Sequence, residues 1–397
     1  MVVGKPWRRG RQPWRPGRRE INMDDVFNIL SDGVGPQPVH FETVEKDRRR
    51  GRAATANPDG RFEPLARARF DDGWAMDEEL PPLATEVQVE KVKSIITRNT
   101  SPDVPFERSV NPYRGCEHGC IYCFARPSHG FMGLSAGLDF ETRLFAKPDA
   151  ARQLARELSK PGYHAKTIAI GTNTDPYQPV EKDWRIMRQV LEVLADANHP
   201  VAITTKSALV LRDLDILSAM AEKRLVKVTM SVTTLDRKLA RAMEPRAATP
   251  PRRLETIRAL SEAGVPVGIS LAPVIPALND HEMERILDSG KAAGATEASY
   301  ILLRLPLEVA PLFKDWLLEH HPERYRHVMS LIRSMRGGKD YDAEFGKRMK
   351  GSGPYAWQLA RRFEIAVKRL GLMRRSVALR DDLFVSPDSG GTQLNLF

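Results

Sequence analysis

Between about Phe106 and Pro306 the chain alternates short β-branched runs with stretches whose apolar residues recur at helical spacing, and few architectures accept that pattern. Repeated β-α units lay successive strands parallel, because each crossover helix returns the chain to the edge from which it started. The predicted strands are Ser109 to Tyr113, Thr167 to Gly171, Val201 to Thr205, Val226 to Ser231, Val267 to Leu271 and Tyr300 to Leu303. Helices are predicted at Ala150 to Lys160, Asp183 to Ala197, Asp213 to Glu222, Arg252 to Ala263 and Asp280 to Ala293, the last two stopped by Gly264 and Gly294. Such units can build a full barrel, an open doubly wound sheet or a partial barrel, and periodicity alone does not choose. In each of them ligands gather at the carboxyl ends of the strands, so the loops that follow the strands are where chemistry is expected.

The flanks read differently. Up to about Glu90 there is no sustained periodicity, and Lys5, Arg8, Arg9, Arg11, Arg15, Arg18 and Arg19 stand against a single Glu20. Much of the formal charge of +10 is therefore an N-terminal tail, which can neutralise phosphates or simply remain solvated and disordered. A second basic run, Arg48, Arg49, Arg50 and Arg52, falls in the same irregular stretch. The expected division is a basic N-terminal extension over 1–90, an α/β core over 100–320, a helical C-terminal extension over 321–385 with its last helix from Tyr355 to Leu370, and a flexible tail over 386–397. No apolar stretch reaches the roughly 18 residues that a membrane span needs, and the N-terminus lacks the apolar core of a signal peptide. A cytoplasmic protein that does not engage a membrane is the expectation.

The three cysteines of the chain, Cys116, Cys120 and Cys123, fall within eight residues on the loop after the first core strand. An odd number packed so closely cannot be a disulfide framework and points to metal. Thiolates are the ligands of iron-sulfur clusters, and three of them on one loop leave one iron of a four-iron cluster without a protein ligand. Gly115 and Gly119 let the backbone wrap tightly, while Arg114 and Arg126 can offset the cluster's negative charge or be ordinary surface charges. The alternative is a structural zinc site in which His118 or His129 adds a fourth ligand to the three thiolates.

The segment Gly115-Cys116-Glu117-His118-Gly119-Cys120-Ile121-Tyr122-Cys123 resembles the defining CxxxCxΦC loop of the radical S-adenosylmethionine (SAM) superfamily, with Tyr122 in the aromatic position. The resemblance implies a partial (β/α)6 TIM-type barrel and one 4Fe-4S cluster held by Cys116, Cys120 and Cys123. It also implies that SAM is chelated by the open iron and split reductively to a 5′-deoxyadenosyl radical, with an electron donor such as a flavodoxin or ferredoxin. Tyr122 would then lie near the adenine. From about Arg108 to Asp280 the chain is similar to the spore photoproduct lyase branch. That likeness implies SAM contacts from Thr172, Asn173, Thr174 and Asp175 after the second strand, Lys206 toward the SAM carboxylate, Ser231 toward the ribose, and Arg246. One departure stands out: the lyase carries a hydrogen-donating cysteine where this chain has Thr172, and no fourth cysteine exists, so the hydrogen donor is unassigned unless Tyr177 or another tyrosine substitutes.

The C-terminal Gln393-Leu394-Asn395-Leu396-Phe397 resembles the peptide with which bacterial proteins bind the DNA polymerase sliding clamp, Gln393, Leu394, Leu396 and Phe397 being the contacting positions. With the basic tail, it suggests work on DNA or another nucleic acid, in repair or modification. The competing reading is a clamp-tethered nucleic-acid-binding protein with a structural Cys3His metal site and no radical chemistry.

Overall fold

The computed structural model describes residues 43–62, 81–373 and 378–387. The N-terminal basic tail and the Gln393 to Phe397 peptide lie outside the described residues. In chain order, β1 (Glu86–Val89), β2 (Ile96–Arg98), β3 (Arg108–Val110) and β4 (Tyr113–Arg114) precede the cysteine loop. After the loop come α1 (Asp139–Thr142), β5 (Arg143–Ala146), α2 (Ala150–Leu158) and β6 (Ile168–Ile170). The repeat continues with α3 (Glu181–Trp184), α4 (Ile186–Asp196), β7 (Val201–Thr205), α5 (Leu214–Glu222) and β8 (Val226–Ser231). It ends with α6 (Arg237–Met243), α7 (Pro250–Glu262), β9 (Val267–Val274), α8 (Met283–Ala292) and β10 (Glu297–Leu302), followed by α9 (Val309–His320), α10 (Tyr325–Ser334) and α11 (Gly353–Leu370).

The main sheet has the order β10-β9-β8-β7-β6-β3-β2. Its strands from β3 to β10 run parallel, and they overlap the six that periodicity predicts. β2 lies antiparallel along the free edge of β3, with Ile96 opposite Val110 and Arg98 opposite Arg108. It occupies the edge that closure against β10 would use, so the architecture is a partial (β/α)6 barrel. The strands are apolar on both faces, as parallel strands covered by helices must be: Ile168, Ala169 and Ile170 are all buried. Helix α4 shows the matching logic, burying Ile186, Met187, Val190, Leu191 and Leu194 on one stripe. Full burial of each large side chain contributes about 1.5–3 kcal/mol.

Two features depart from the periodicity. The helix expected over 183–197 is broken at Arg185, which adopts a left-handed φ of 49°. The cause is Glu181, whose buried carboxylate accepts the N–H groups of Ile186 and Met187 at 3.0 Å each, starting a new helix where the old one would have continued. A second small sheet, β1-β5-β4, was not expected; β1 pairs parallel with β5, and β4 antiparallel with it, directly ahead of the cysteines.

His199, at the entry to β7, is buried among Tyr163 and Phe384. Its Nδ1 donates to the Pro200 carbonyl at 3.0 Å, which leaves Nε2 to accept from the Tyr163 hydroxyl at 2.9 Å. Burial holds this imidazole down to a pKa of about 4. An unfolded histidine titrates near 6.5, so between those values the unfolded chain binds the extra proton and the folded one does not. The stabilisation is complete above about pH 6.5 and is lost as pH falls toward 4. In urea titrations this group should remove up to about 1.4 kcal/mol per pH unit across that window, and His199→Asn should flatten the slope; equal slopes for the two proteins would exclude it as the source.

Candidate functional site

The cysteine loop begins immediately after β4 and is folded on itself by two tight turns. Gly119 N–H donates to the Cys116 carbonyl and Cys123 N–H to the Cys120 carbonyl, both at 3.1 Å. Gly115 and Gly119 have φ of 71° and 66°. A Cβ on Gly115 would stand 2.7 Å from Leu144 Cδ2, and one on Gly119 would stand 2.7 Å from Glu141 Oε2, so neither position tolerates a side chain.

The loop is held from three sides. Arg126, fully buried, donates to the carbonyls of Cys120, Gly119, Ala136 and Gly137 at 2.9–3.0 Å and to Glu141 Oε1 at 2.5 Å. Glu141 is itself buried and accepts the N–H groups of Ala53 at 3.1 Å and Ala54 at 2.9 Å. Arg126 is therefore not a surface charge, and its guanidinium is fully engaged by the loop carbonyls and Glu141. On the second side, Arg52 donates to the Glu141 carbonyl at 2.8 Å and to Thr85 Oγ1 at 2.7 Å, and Thr85 donates to Glu117 Oε1 at 2.7 Å. On the third, Gln178 accepts Glu117 N–H at 2.7 Å and donates to the Gly115 carbonyl at 3.3 Å. Arg52, Glu141 and Gln178 escaped the sequence reading because each acts across some 60 to 90 residues of chain, where periodicity carries no signal.

Cys116 and Cys120 are buried and Cys123 half-buried. Burial pushes all three thiols up, Cys120 to about 12. Thiolates therefore form here only against positive charge. Lys206 provides some for Cys120 and Cys123, and Arg126 for Cys123. Backbone N–H groups also face the sulfurs, that of Asp175 at Cys116 and those of Ala125 and Arg126 at Cys123. Such N–H···S contacts tune iron-sulfur centres. Donor set, glycine turns and aimed amides all fit a polynuclear core. Among the described residues no three His, Cys, Asp or Glu side chains converge on a point that suits one ion. His118 Nδ1 instead faces Asp175 Oδ2 at 3.4 Å, and His129 Nε2 faces the Arg143 carbonyl at 2.9 Å. The Cys3His zinc alternative lacks its converging ligands.

Of the remaining predicted positions, Thr172, Asn173, Thr174, Asp175, Lys206 and Ser231 fall at the ends of β6, β7 and β8, the same side of the sheet as the loop, Tyr122 lies in the loop itself and Arg246 follows α6. They divide into two kinds. Thr174, Asp175 and Arg246 are already engaged. Thr174 Oγ1 donates to the Tyr113 carbonyl at 3.0 Å. Asp175 accepts from Thr205 Oγ1 and Lys206 N at 2.7 Å each and from Tyr177 N at 2.9 Å. Burial opposes its ionisation, but the charge and hydrogen bond of His118, with those donors, draw the carboxyl down to about 2. Arg246 pairs with Glu117 Oε1 at 3.2 Å. Open to a ligand are Thr172, half-buried, and Asn173, whose buried Oδ1 has no partner among the described residues.

Tyr122, Lys206 and Ser231 surround a second charged group. The Tyr122 hydroxyl donates to Glu244 Oε1 and lies 3.3 Å from Thr233 Oγ1, and Lys206 Nζ stands 5.8 Å from the centre of the Tyr122 ring. Arg253 pairs with Glu244 Oε2 and donates to the Ser231 carbonyl at 3.0 Å, fixing the end of β8. Burial opposes charge on Glu244, yet Arg253 and Lys206 hold it down to about 2. Tyr177 is not poised as a hydrogen donor: it is fully buried in the core, its hydroxyl bonded to Asp213 Oδ2 at 3.1 Å.

Comparison with known proteins gives the same outline. The sequence model of the radical SAM superfamily matches residues 110–290. An uncharacterized protein of Mycobacterium tuberculosis is 38% identical over 230 residues, 57% of this chain and 68% of the relative. An uncharacterized protein of Methanocaldococcus jannaschii is 26% identical over 244 residues, 62% of this chain and 88% of the relative. Among solved structures, a spore photoproduct lyase mutant with bound AdoMet and dinucleoside spore photoproduct superimposes with a TM-score of 0.55 at 14% identity, covering 74% of this chain and 82% of the lyase. That likeness is one of fold.

Replacing Arg126 by Met leaves the Glu141 carboxylate buried without its ion-pair partner and strips four loop carbonyls of their donor. The expected loss is about 3–5 kcal/mol in urea unfolding of the metal-free chain, with partial recovery in the Arg126→Met/Glu141→Gln double variant. An unchanged midpoint for the single variant would contradict the bracing role.

Proposed function

The chain belongs to the radical SAM superfamily and is an enzyme of that class, and from that premise we propose that Cys116, Cys120 and Cys123 hold one 4Fe-4S cluster beside a bound SAM, for chemistry on a nucleic acid. The observation that carries this reading is a loop of three thiols, two buried and one half-buried, folded on two glycines that admit no Cβ and set at the carboxyl end of a parallel six-unit sheet. Such a cluster, when bound, supplies the electron that splits SAM into methionine and a 5′-deoxyadenosyl radical able to take hydrogen from an unactivated carbon.

The protein's own residues position and shield. Lys206, at the end of β7 and over the Tyr122 ring, offers its ammonium to the SAM carboxylate as a charge-assisted partner. Asn173, with an acceptor oxygen left without a partner among the described residues, receives the SAM ammonium, with Thr172 beside it. Tyr122 lines the adenine side, its ring orientation fixed by Glu244, and Ser231 lies toward the ribose. Thr174, Asp175 and Arg246 stand behind these contacts: Asp175 ties His118 of the cysteine loop to the Thr205–Lys206 strand end, and Arg246 ties Glu117 to the segment after α6.

The nucleic-acid part rests on the basic N-terminal residues, on the Gln393-Leu394-Asn395-Leu396-Phe397 peptide suited to a sliding-clamp pocket, and on the lyase likeness. Two leucines and a phenylalanine in such a peptide gain by burial in a partner's pocket. A clamp-bound protein of this kind works in the cytoplasm, and among the described residues no helix is long and apolar enough to cross a membrane.

Protein reconstituted without oxygen should bind about four irons per chain and release 5′-deoxyadenosine when reduced with SAM. Serine at any of the three cysteine positions should abolish both. Lys206→Met should keep its iron yet bind SAM on the order of ten- to a hundredfold more weakly. A wild-type protein that stays colourless and leaves SAM intact would end the proposal. Deleting Gln393 to Phe397 should remove clamp association in gel filtration without altering SAM cleavage; retained association would remove the clamp from the reading.

A further inference from the structure

Most buried arginines here have an evident purpose. Arg126 and Arg253 pair with Glu141 and Glu244, and Arg336 donates to the Leu303 carbonyl at 2.9 Å and the Lys347 carbonyl at 2.7 Å. Arg304 does not fit this pattern. It lies just past the end of β10 and is 8% exposed. Its guanidinium is 4.8 Å from the centre of the Phe124 ring, the residue that follows Cys123. Its Nη1 meets only the thioether sulfur of Met349 at 3.6 Å, and its buried Nε has no partner among the described residues. No carboxylate pairs with it among the described residues. A guanidinium carries five donors and stays charged at any working pH, and a thioether is a weak acceptor, so burying it this way is costly unless an anion arrives.

A second donor stands in the same neighbourhood. The Tyr341 hydroxyl is buried and unpaired among the described residues, and Tyr341 packs against the same apolar cluster as Leu303 and Cys123. The backbone around them is fixed. Leu302 N–H donates to the Met349 carbonyl at 2.9 Å, so the 336–351 segment is stitched to the end of β10, two residues from Arg304. Lys206, proposed for the SAM carboxylate, stands on β7's end, with β8 and β9 between its strand and that of Arg304. The two cations therefore serve different anions.

We propose that Arg304, with the Tyr341 hydroxyl, binds a phosphate oxyanion of the substrate beside the Cys123 end of the cysteine loop. Phosphate, rather than the equally compatible carboxylate, rests on the nucleic-acid reading above. The site anchors a backbone phosphate next to the place where the reacting carbon must lie, and a planar guanidinium stacked on Phe124 is suited to that contact.

The test uses the full chain, reconstituted without oxygen. Inorganic phosphate, exchanged for chloride at constant ionic strength, should raise the thermal midpoint of the wild type and leave that of Arg304→Met unmoved. Arg304→Lys should keep a smaller response. Without phosphate, Arg304→Met should unfold no earlier than the wild type, because an unpaired buried charge has been removed. A midpoint well below the wild type, or an undiminished phosphate response, overturns the proposal. Acetate acting as well as phosphate overturns the phosphate assignment in favour of a carboxylate. A single-stranded oligonucleotide should bind Arg304→Met on the order of tenfold more weakly than the wild type. If the wild type responds to phosphate through Arg304 yet binds no oligonucleotide, the oxyanion site stands and the nucleic-acid reading falls.

Discussion

The buried pair of Arg126 and Glu141 is the constraint on which the rest of the site depends. Both side chains are fully out of water, and desolvating two charges is repaid only where geometry is good and every remaining donor and acceptor is used. Here the guanidinium reaches four carbonyls as well as the carboxylate, and the carboxylate also takes two amides of the segment at Ala53 and Ala54. An apolar pair of equal volume could supply as much stability. It could not specify the path of the backbone between Gly119 and Gly137, because only directional donors fix carbonyls in space. The ion pair is therefore best understood as setting the shape of the loop, with the N-terminal segment as part of its mould.

The same logic extends to the strand ends. Asp175 and Glu244 are buried anions held ionised by donors on different elements, and each couples one part of the cysteine loop to one strand. Asp175 links His118 to the end of β7, and Glu244 links Tyr122 to Arg253 and thereby to the end of β8. Lys206 sits near the Glu244 and Asp175 carboxylates, and its ammonium has no hydrogen-bond partner among the described residues. An ammonium placed that way can accept a new carboxylate at little cost in reorganisation.

The six parallel strands and the helices between them were legible because each buries a patterned face, and the cysteines because thiol spacing has few meanings. The second sheet and the edge strand β2 were not. Their strands are only two to four residues long, too short for a period to show, and β1 is largely exposed. The break at Arg185 was hidden for another reason: the pattern Ile186, Met187, Val190 continues smoothly into α4, while the carboxylate that interrupts the helix is a local side-chain event. Within the site, residue type revealed which groups can touch a ligand but not which are already spent. Thr174, Asp175 and Arg246 have suitable chemistry and suitable places, and only the contacts show that the protein uses them itself.

That distinction separates support from reception across the whole site. Buried polar groups in folded proteins are nearly always paired, so an unpaired one has a reason to be sought. Around the cysteine loop the supporting side chains Arg126, Glu141, Gln178 and Asp175 are bonded to several groups apiece. Asn173 Oδ1, Arg304 Nε and the Tyr341 hydroxyl are buried and bonded to nothing among the described residues. Asn173 lies beyond the end of β6 and Arg304 beyond the end of β10, so the unmet acceptor and the unmet donor stand on opposite flanks of the strands that carry Lys206 and Ser231. A carboxyl-end surface organised in this way has a cationic demand on one side and an anionic demand on the other, and a molecule seated between them is oriented before any reaction begins.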